Sequence, residues 1–250
     1  MITGAAVVPS PPLLARDLTG RATVAPELRQ ACASAVSRLL AGSRPDVVVV
    51  VGGGPATRSW PSDARLNLFA FGPVLAMSRR PRNVAASGGG GAGVLVSPPT
   101  PLTQLPLALG IGAGLLDEAG YAGPRALQAI DGTASPEDCL STGARLAELA
   151  SRVALLVVGD GSAMCGPAAP GHFDERAAEF GGRVESALRD GDMAALAAID
   201  ASLAAELMAT GRAAWQVLAG AVGTQGQAPG DLLYADAPFG VAYYVSVHPL

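Results

Sequence analysis

Lysine is absent from this 250-residue sequence, and all 17 of its basic residues are arginines. Without lysine, a Walker-type phosphate loop and Schiff-base chemistry are both excluded, because each needs a lysine side chain. The net charge is -4, so the sequence predicts no nucleic-acid partner, since binding to a phosphate backbone requires a basic surface. The one basic cluster, Arg79–Arg82, predicts a solvated loop, with an anion or partner contact as the alternative.

Histidine is almost as scarce, with only His172 and His248 in the chain. A non-haem iron site of the two-histidine, one-carboxylate kind would use both rings, and an acid–base histidine would be a third. The sequence therefore argues against a fully equipped iron oxygenase and predicts no metal and no other cofactor. Each of the two histidines is more typical of a surface or helix-capping position than of a ligand.

Three cysteines, with no close pair among them, match neither a disulfide framework nor a zinc-ribbon spacing. We therefore expect a reducing, cytoplasmic location. The N-terminal apolar stretch has no basic region before it and is interrupted by three prolines, unlike a signal peptide. No apolar run reaches the roughly 20 residues that cross a bilayer, so the sequence predicts no association with a membrane.

Hydrophobic patterning predicts strands that alternate with helices. The predicted strands are 2–8, 46–54, 93–97, 125–131 and 153–160, and the predicted helices are 26–42, 105–120 and 135–152. A long helical region over 174–222, in three segments, precedes two closing strands within 231–247. This alternation predicts one three-layer α/β/α domain over residues 1–250, with a mostly parallel or mixed central sheet.

Two glycine-rich segments resemble ligand-binding loops. Gly88–Gly93 fits the G-x-G-x-x-G pattern, but a strand-like segment follows it where a dinucleotide loop would open a helix. We therefore predict a flexible turn there. Gly52–Gly54 does follow a strong strand and would admit a ligand close to the backbone, with a cofactor loop as the minor alternative.

The segment 157–171, VVGDGSAMCGPAAPG, has the composition of an active-site loop. It carries Asp160, Ser162 and Cys165 after a buried strand, and His172 follows directly. Ser162 lacks the G-x-S-x-G pattern of a nucleophile elbow, because Asp160 stands where the first glycine belongs. A serine or thiolate nucleophile also needs a partner base, which the sequence does not identify. We predict that Asp160 has a structural role and accepts hydrogen bonds from loop amides.

Several segments resemble the class III extradiol dioxygenase superfamily, which includes the LigB-like and Memo-like proteins, and especially its alanine-rich actinobacterial members. The similarity runs through nearly the whole chain and rests on five segments, 5–14, 47–55, 157–180, 211–223 and 232–245. It implies the LigB-like α/β fold. It also implies a metal histidine in the turn after the first strand, another at the end of the second, and a Gly-Asp-x-Ser-His motif after a later strand.

The positions that the resemblance marks for histidine carry other residues here. Ser10 stands at the first metal position, Gly53 or Gly54 near the second, and Ala163 at the histidine of the motif. Asp236 is the nearest carboxylate to the position of the metal glutamate. Serine and glycine are not useful Fe(II) ligands, so the resemblance implies the fold without the usual metal site.

The sequence thus favours a catalytically degenerate LigB-like protein that binds a small aromatic or other small molecule, or that works within a complex. Its cleft is predicted to contain Ser10, Pro11, Gly53, Gly54, Asp160, Ser162 and His172. One alternative is an active ring-cleavage dioxygenase with Fe(II) in a rearranged site that uses His172 and Asp160. A second is a metal-free hydrolase with Ser162 or Cys165 as nucleophile. A third is a structural protein that forms a homo-oligomer.

Overall fold

The computed structural model describes residues 1–15, 25–64, 66, 105–223 and 229–250. Its strands form one seven-stranded mixed sheet in the order β3-β4-β2-β5-β1-β7-β6. The strands are β1 (Ile2–Val8), β2 (Val47–Gly54), β3 (Arg58–Trp60), β4 (Arg125–Asp131), β5 (Val153–Val158), β6 (Asp231–Asp236) and β7 (Tyr243–Pro249). The central four, β4, β2, β5 and β1, are parallel, and the outer three are antiparallel to their neighbours.

Seven helices flank the sheet in the described part of the chain. They are α1 (Pro26–Ser43), α2 (Leu107–Glu118), α3 (Pro136–Leu146), α4 (Arg176–Asp190), α5 (Met193–Ala197), α6 (Ala201–Glu206) and α7 (Arg212–Val222). Alternate side chains of each central strand divide between two hydrophobic cores. One core packs against α1 and α2, and the other against α3 to α7. Both faces are therefore covered, which is why these strands are almost continuously apolar.

The fold confirms the predicted α/β class and most of the predicted elements. The strand prediction 2–8 matches β1, and 125–131 matches β4. The short edge strand β3 was not predicted. The predicted strand 93–97, the arginine cluster Arg79–Arg82 and the segment Gly88–Gly93 lie outside the described residues.

The helical region after residue 174 is more divided than its composition indicates. Gly191 ends α4 in the left-handed conformation, and Asp192 and Asp200 cap α5 and α6 by accepting hydrogen bonds from Ala195 N and Leu203 N. The predicted single helix over 200–222 is wrong, because a turn at 207–211 separates α6 from α7. That turn brings the first residues of α7 to the carboxyl ends of the parallel strands.

None of the helices within the described ranges is long and apolar enough to cross a bilayer.

Candidate functional site

A cavity of about 700 Å³ lies at the carboxyl ends of the four parallel strands. Residues that follow these strands form its floor, and two helix N-termini and the turn before α7 form its walls. The lining includes Ser10, Pro12, Gly53, Gly54, Pro106, Leu107, Ala108, Gly132, Gly159, Asp160, Met208, Thr210, Arg212 and Ala213. Open α/β sheets bind ligands at this edge, because the loops that leave parallel strands diverge there. We call this cavity the cleft.

Asp160 is held in the cleft by the residue that follows β1. Ser10 N donates to Asp160 Oδ1 at 2.7 Å, and Ser10 Oγ donates to Asp160 Oδ2 at 3.0 Å. The predicted hydrogen bond from a loop amide is therefore present. Burial raises the pKa of Asp160 above the ordinary value of an aspartate, and the two hydrogen bonds from Ser10 act in the opposite direction.

Two glycines shape the cleft because they lack side chains. A Cβ on Gly53 would meet only Thr210 O, at 3.8 Å, so Gly53 faces open space in the cleft. A Cβ on Gly159 would lie 2.4 Å from Gly211 Cα, which no side chain tolerates. Gly53 thus widens the cleft, and Gly159 permits contact between β5 and the start of α7.

Ser162 does not line the cleft. The residue is fully buried, its hydroxyl donates to Leu207 O at 2.9 Å, and it accepts from Met164 N at 3.1 Å. Its position next to Asp160 in sequence made it a cleft candidate, but this hydroxyl serves to fix the loop. Nothing in its surroundings favours a serine nucleophile, because neither histidine is among its hydrogen-bond partners.

The remaining candidates lie outside the cleft lining. Pro11 is buried, and Pro12 lines the cavity in its place. His172 is exposed, although the preceding Gly171 lies close to Met208 at the cleft wall. Cys165 is partly exposed, and its thiol donates to Ser162 O at 3.3 Å.

Neither histidine contributes an imidazole to the cleft lining. His248 is buried on β7 and shares a hydrogen bond with Ser246 Oγ at 2.9 Å. It pairs with Ala5, the middle residue of β1, and is not part of the cleft lining, so the predicted surface position of His248 is wrong. In the parts of the chain that the structure describes, no group of three or more His, Cys, Asp and Glu side chains is arranged to hold a metal ion.

The potential metal ligands in the cleft do not fit the iron site that the extradiol resemblance implies. Among the lining residues these are the Ser10 and Thr210 hydroxyls, the Asp160 carboxyl and backbone carbonyls, and Asp160 already accepts two hydrogen bonds from Ser10. Fe(II) in such enzymes takes two imidazoles and one carboxylate. A single hydrogen-bonded carboxyl is not an equivalent set.

Sequence reasoning missed the contribution of α7. Arg212, its first residue, is 3% exposed and lines the cleft. Nη1 donates to Ala134 O at 2.7 Å and to Gln216 Oε1 at 3.0 Å, and Nη2 donates to Gly132 O at 2.6 Å. Nothing in the sequence distinguishes this arginine from the other 16, because its burial depends on the turn that was not predicted.

Comparison with known proteins adds only a distant structural likeness. No family model matches the chain, and no curated protein matches it. Among solved structures, it is similar to the uncharacterised protein JW3007 from Escherichia coli K12, with 15% identity and a TM-score of 0.47 over 98% of each chain.

Proposed function

We propose that this protein is a divergent LigB-like homologue whose cleft binds a small organic molecule without a metal ion. One observation carries the proposal. Ser10, Gly53, Gly54 and Asp160 line a single cavity at the carboxyl ends of parallel strands, and no imidazole belongs to that lining.

The extradiol resemblance and the geometry support each other at two positions. The resemblance assigns metal histidines to residue 10 and to residue 53 or 54, which are more than 40 residues apart in the chain. These positions line the same cavity. The two positions are expected to converge if the chain kept the scaffold of a metal enzyme. Serine and glycine at these positions do not bind iron, which supports a site that binds its ligand without a metal.

The cleft also has the character of a small-molecule site. Its volume of about 700 Å³ falls within the range of about 300–1,000 Å³ that is typical of ligand pockets. Apolar walls from Leu107, Ala108 and Met208 surround a few polar groups, among them Ser10 and Asp160. Apolar walls with few polar groups suit a compact ligand, and an aromatic ring is one such shape.

The test combines metal analysis with a search for ring cleavage. Purified protein is expected to contain no stoichiometric iron or zinc. Anaerobic loading with Fe(II), then catechols and oxygen, is expected to give no ring-cleavage chromophore. Metal bound at the cleft, or turnover of a catechol, would overturn the proposal.

A variant pair connects binding to the cleft. Gly53→Leu fills the open space that faces Gly53, whereas Gly42→Leu places the same side chain on α1, where a Cβ meets nothing within 4 Å. Ligand-observed NMR with a fragment set in EDTA is expected to show bound fragments for wild type and Gly42→Leu, and losses for Gly53→Leu. Equal binding by the two variants would place the ligand elsewhere.

A further inference from the structure

Arg212 is a buried cation whose partners in the described structure are all neutral. Its guanidinium contacts two carbonyl oxygens, the amide oxygen of Gln216 and, at 3.7 Å, the sulfur of Cys139. No carboxylate of the described residues forms an ion pair with it. Buried charges in proteins are normally paired, because removal from water is costly. We infer that the cleft binds the carboxylate of a small organic acid at Arg212.

The inference rests on the proposed function, since it assigns a ligand class to the same cleft. Arg212 and Gly132 both line the cleft, and Gly132 O accepts a hydrogen bond from Arg212 Nη2. The guanidinium is therefore bonded to a residue of the cavity wall, and the inference places the carboxylate of the ligand on that side of the cleft.

The guanidinium also has hydrogen-bonding capacity left. An arginine carries five N–H donors, and the oxygen acceptors Ala134 O, Gln216 Oε1 and Gly132 O account for three of them. Within the described residues, Nε–H and one Nη2–H have no acceptor. Arginine binds carboxylates through paired N–H groups of this kind, so the ligand would complete the set without displacing the contacts that hold Arg212.

The rest of the cleft favours an anion at the same wall. The N-terminal residues of α2 and α7 line it, and a helix N-terminus carries a partial positive charge. Asp131 is the carboxylate on which Arg212 acts electrostatically, but it is half-buried and accepts hydrogen bonds from Thr133 N and Oγ. Asp160 is bonded to Ser10. Neither acid neutralises Arg212 by direct contact.

A carboxylate fits better than a phosphate. Arg212 is the only basic side chain among the residues known to line the cleft in the described structure, and the walls are largely apolar. A phosphate dianion would need more donors than one guanidinium supplies, and an ionised Asp160 would repel its two charges more strongly than the single charge of a carboxylate. A monoanionic acid with an apolar body matches both the single cation and the apolar walls.

The experiment compares acids with their neutral amides. The probes are acetate and acetamide, benzoate and benzamide, and phenylacetate and phenylacetamide, with phenyl phosphate as the phosphate arm. Binding is measured by calorimetry, and the Nε–H signal of Arg212 is followed by NMR in ¹⁵N-labelled protein. For at least one pair, the acid is expected to bind about 10- to 100-fold more tightly than the amide, because hydrogen bonds to charged groups are stronger. The Arg212 signal should shift with the acid only.

Two variants test the role of Arg212 without removing all its contacts. Arg212→Lys keeps the charge and loses the paired donors, so the preference for the acid should fall several-fold. Arg212→Gln removes the charge, so the acids should lose their preference over the amides while amide binding persists. Arg183→Gln, on an exposed surface of α4, is the matched control for net charge and should behave as wild type.

Each outcome decides a separate point. Three results overturn the carboxylate inference: equal affinity for acids and amides, an unshifted Arg212 signal, or no binding of any acid. None of them bears on the proposal of metal-free binding, which the metal analysis and the Gly53 variant test separately. Tighter binding of phenyl phosphate than of every acid also overturns it. Acid binding that is accompanied by iron-dependent ring cleavage overturns the proposed function and leaves the role of Arg212 standing.

Discussion

Asp160 O accepts a hydrogen bond from Gly211 N at 2.8 Å, which joins the loop after β5 directly to the residue before α7. The contact is possible because glycines at positions 159 and 211 let the two backbone segments approach closely. A Cβ on Gly211 would lie 2.3 Å from Trp215 Cζ2 and 2.9 Å from Asp160 O. The pairing fixes the position of α7, and hence of Arg212, at the cleft.

Replacing Gly211, or Gly159, which packs against it, should destabilise the fold. Gly159→Ala and Gly211→Ala force backbone or indole atoms apart, so we expect losses of about 1–3 kcal/mol in the free energy of unfolding. Gly114→Ala is the control, because a Cβ there meets nothing within 4 Å. Urea denaturation measures all three, and a neutral result for Gly211→Ala would contradict the close packing.

The buried carboxyl of Asp160 should make the free energy of unfolding depend on pH. Because its pKa is raised in the folded protein, the folded state binds the proton more tightly than the unfolded state. Its contribution is therefore most favourable below the unfolded pKa of about 4. It is lost as the pH rises through the higher folded value.

Asp160→Asn removes this contribution and keeps the shape of the side chain. The difference in unfolding free energy, wild type minus variant, should fall as the pH rises from about 4 and then level off. Urea titrations of both proteins at a series of pH values measure it. A difference that grows with pH would mean that Ser10 lowers the pKa of Asp160 below its ordinary value.

The three cysteines should differ sharply in reactivity. Cys32 and Cys139 are buried, and burial raises the pKa of both, that of Cys32 to about 12. Cys165 is partly exposed. Iodoacetamide on native protein should therefore alkylate Cys165 first, since the thiolate is the reactive species. Peptide mass spectrometry identifies the site, and early modification of Cys32 would mean that α1 opens from the sheet.

Removal of the Ser162 hydroxyl should affect stability and leave ligand binding intact. Ser162→Ala deprives Met164 N of its acceptor and Leu207 O of one donor, so we expect a loss of about 1–3 kcal/mol. Ser10→Ala, by contrast, removes a group that lines the cleft. Urea denaturation together with benzoate titration separates the two, and loss of binding in Ser162→Ala at unchanged stability would argue for a direct role.

The sequence predicted the elements that depend on local pattern. The apolar runs that became β1, β2 and β5 are buried on both faces, and Pro136–Leu146 forms a helix within the predicted range 135–152. The extradiol resemblance implied that Ser10, Gly53 and Asp160 share a cleft, and the structure places them around one cavity because residues that follow parallel strands meet at one edge of the sheet.

Local pattern was insufficient for His172 and Ser162. Ser162 lies two residues after Asp160 and is buried, whereas His172 lies twelve residues after it and is exposed. The direction of a loop side chain depends on contacts with distant segments, here Leu207 and Ala242, whose backbones bond to residues 161–163. The sequence alone contains no signal for those contacts.

The sequence by itself determined the alternation of strands and helices and the supply of chemical groups, because periodicity and composition are properties of the chain. The sequence therefore limits any site formed by this chain to at most two imidazoles. Only the tertiary structure decided which groups share the cleft. Arg212 reaches it through a turn at 207–211 and through acceptors roughly 80 residues away, at Gly132 and Ala134. Burial and pairing of a charge depend on such distant contacts, so the sequence alone did not distinguish Arg212 from the other arginines.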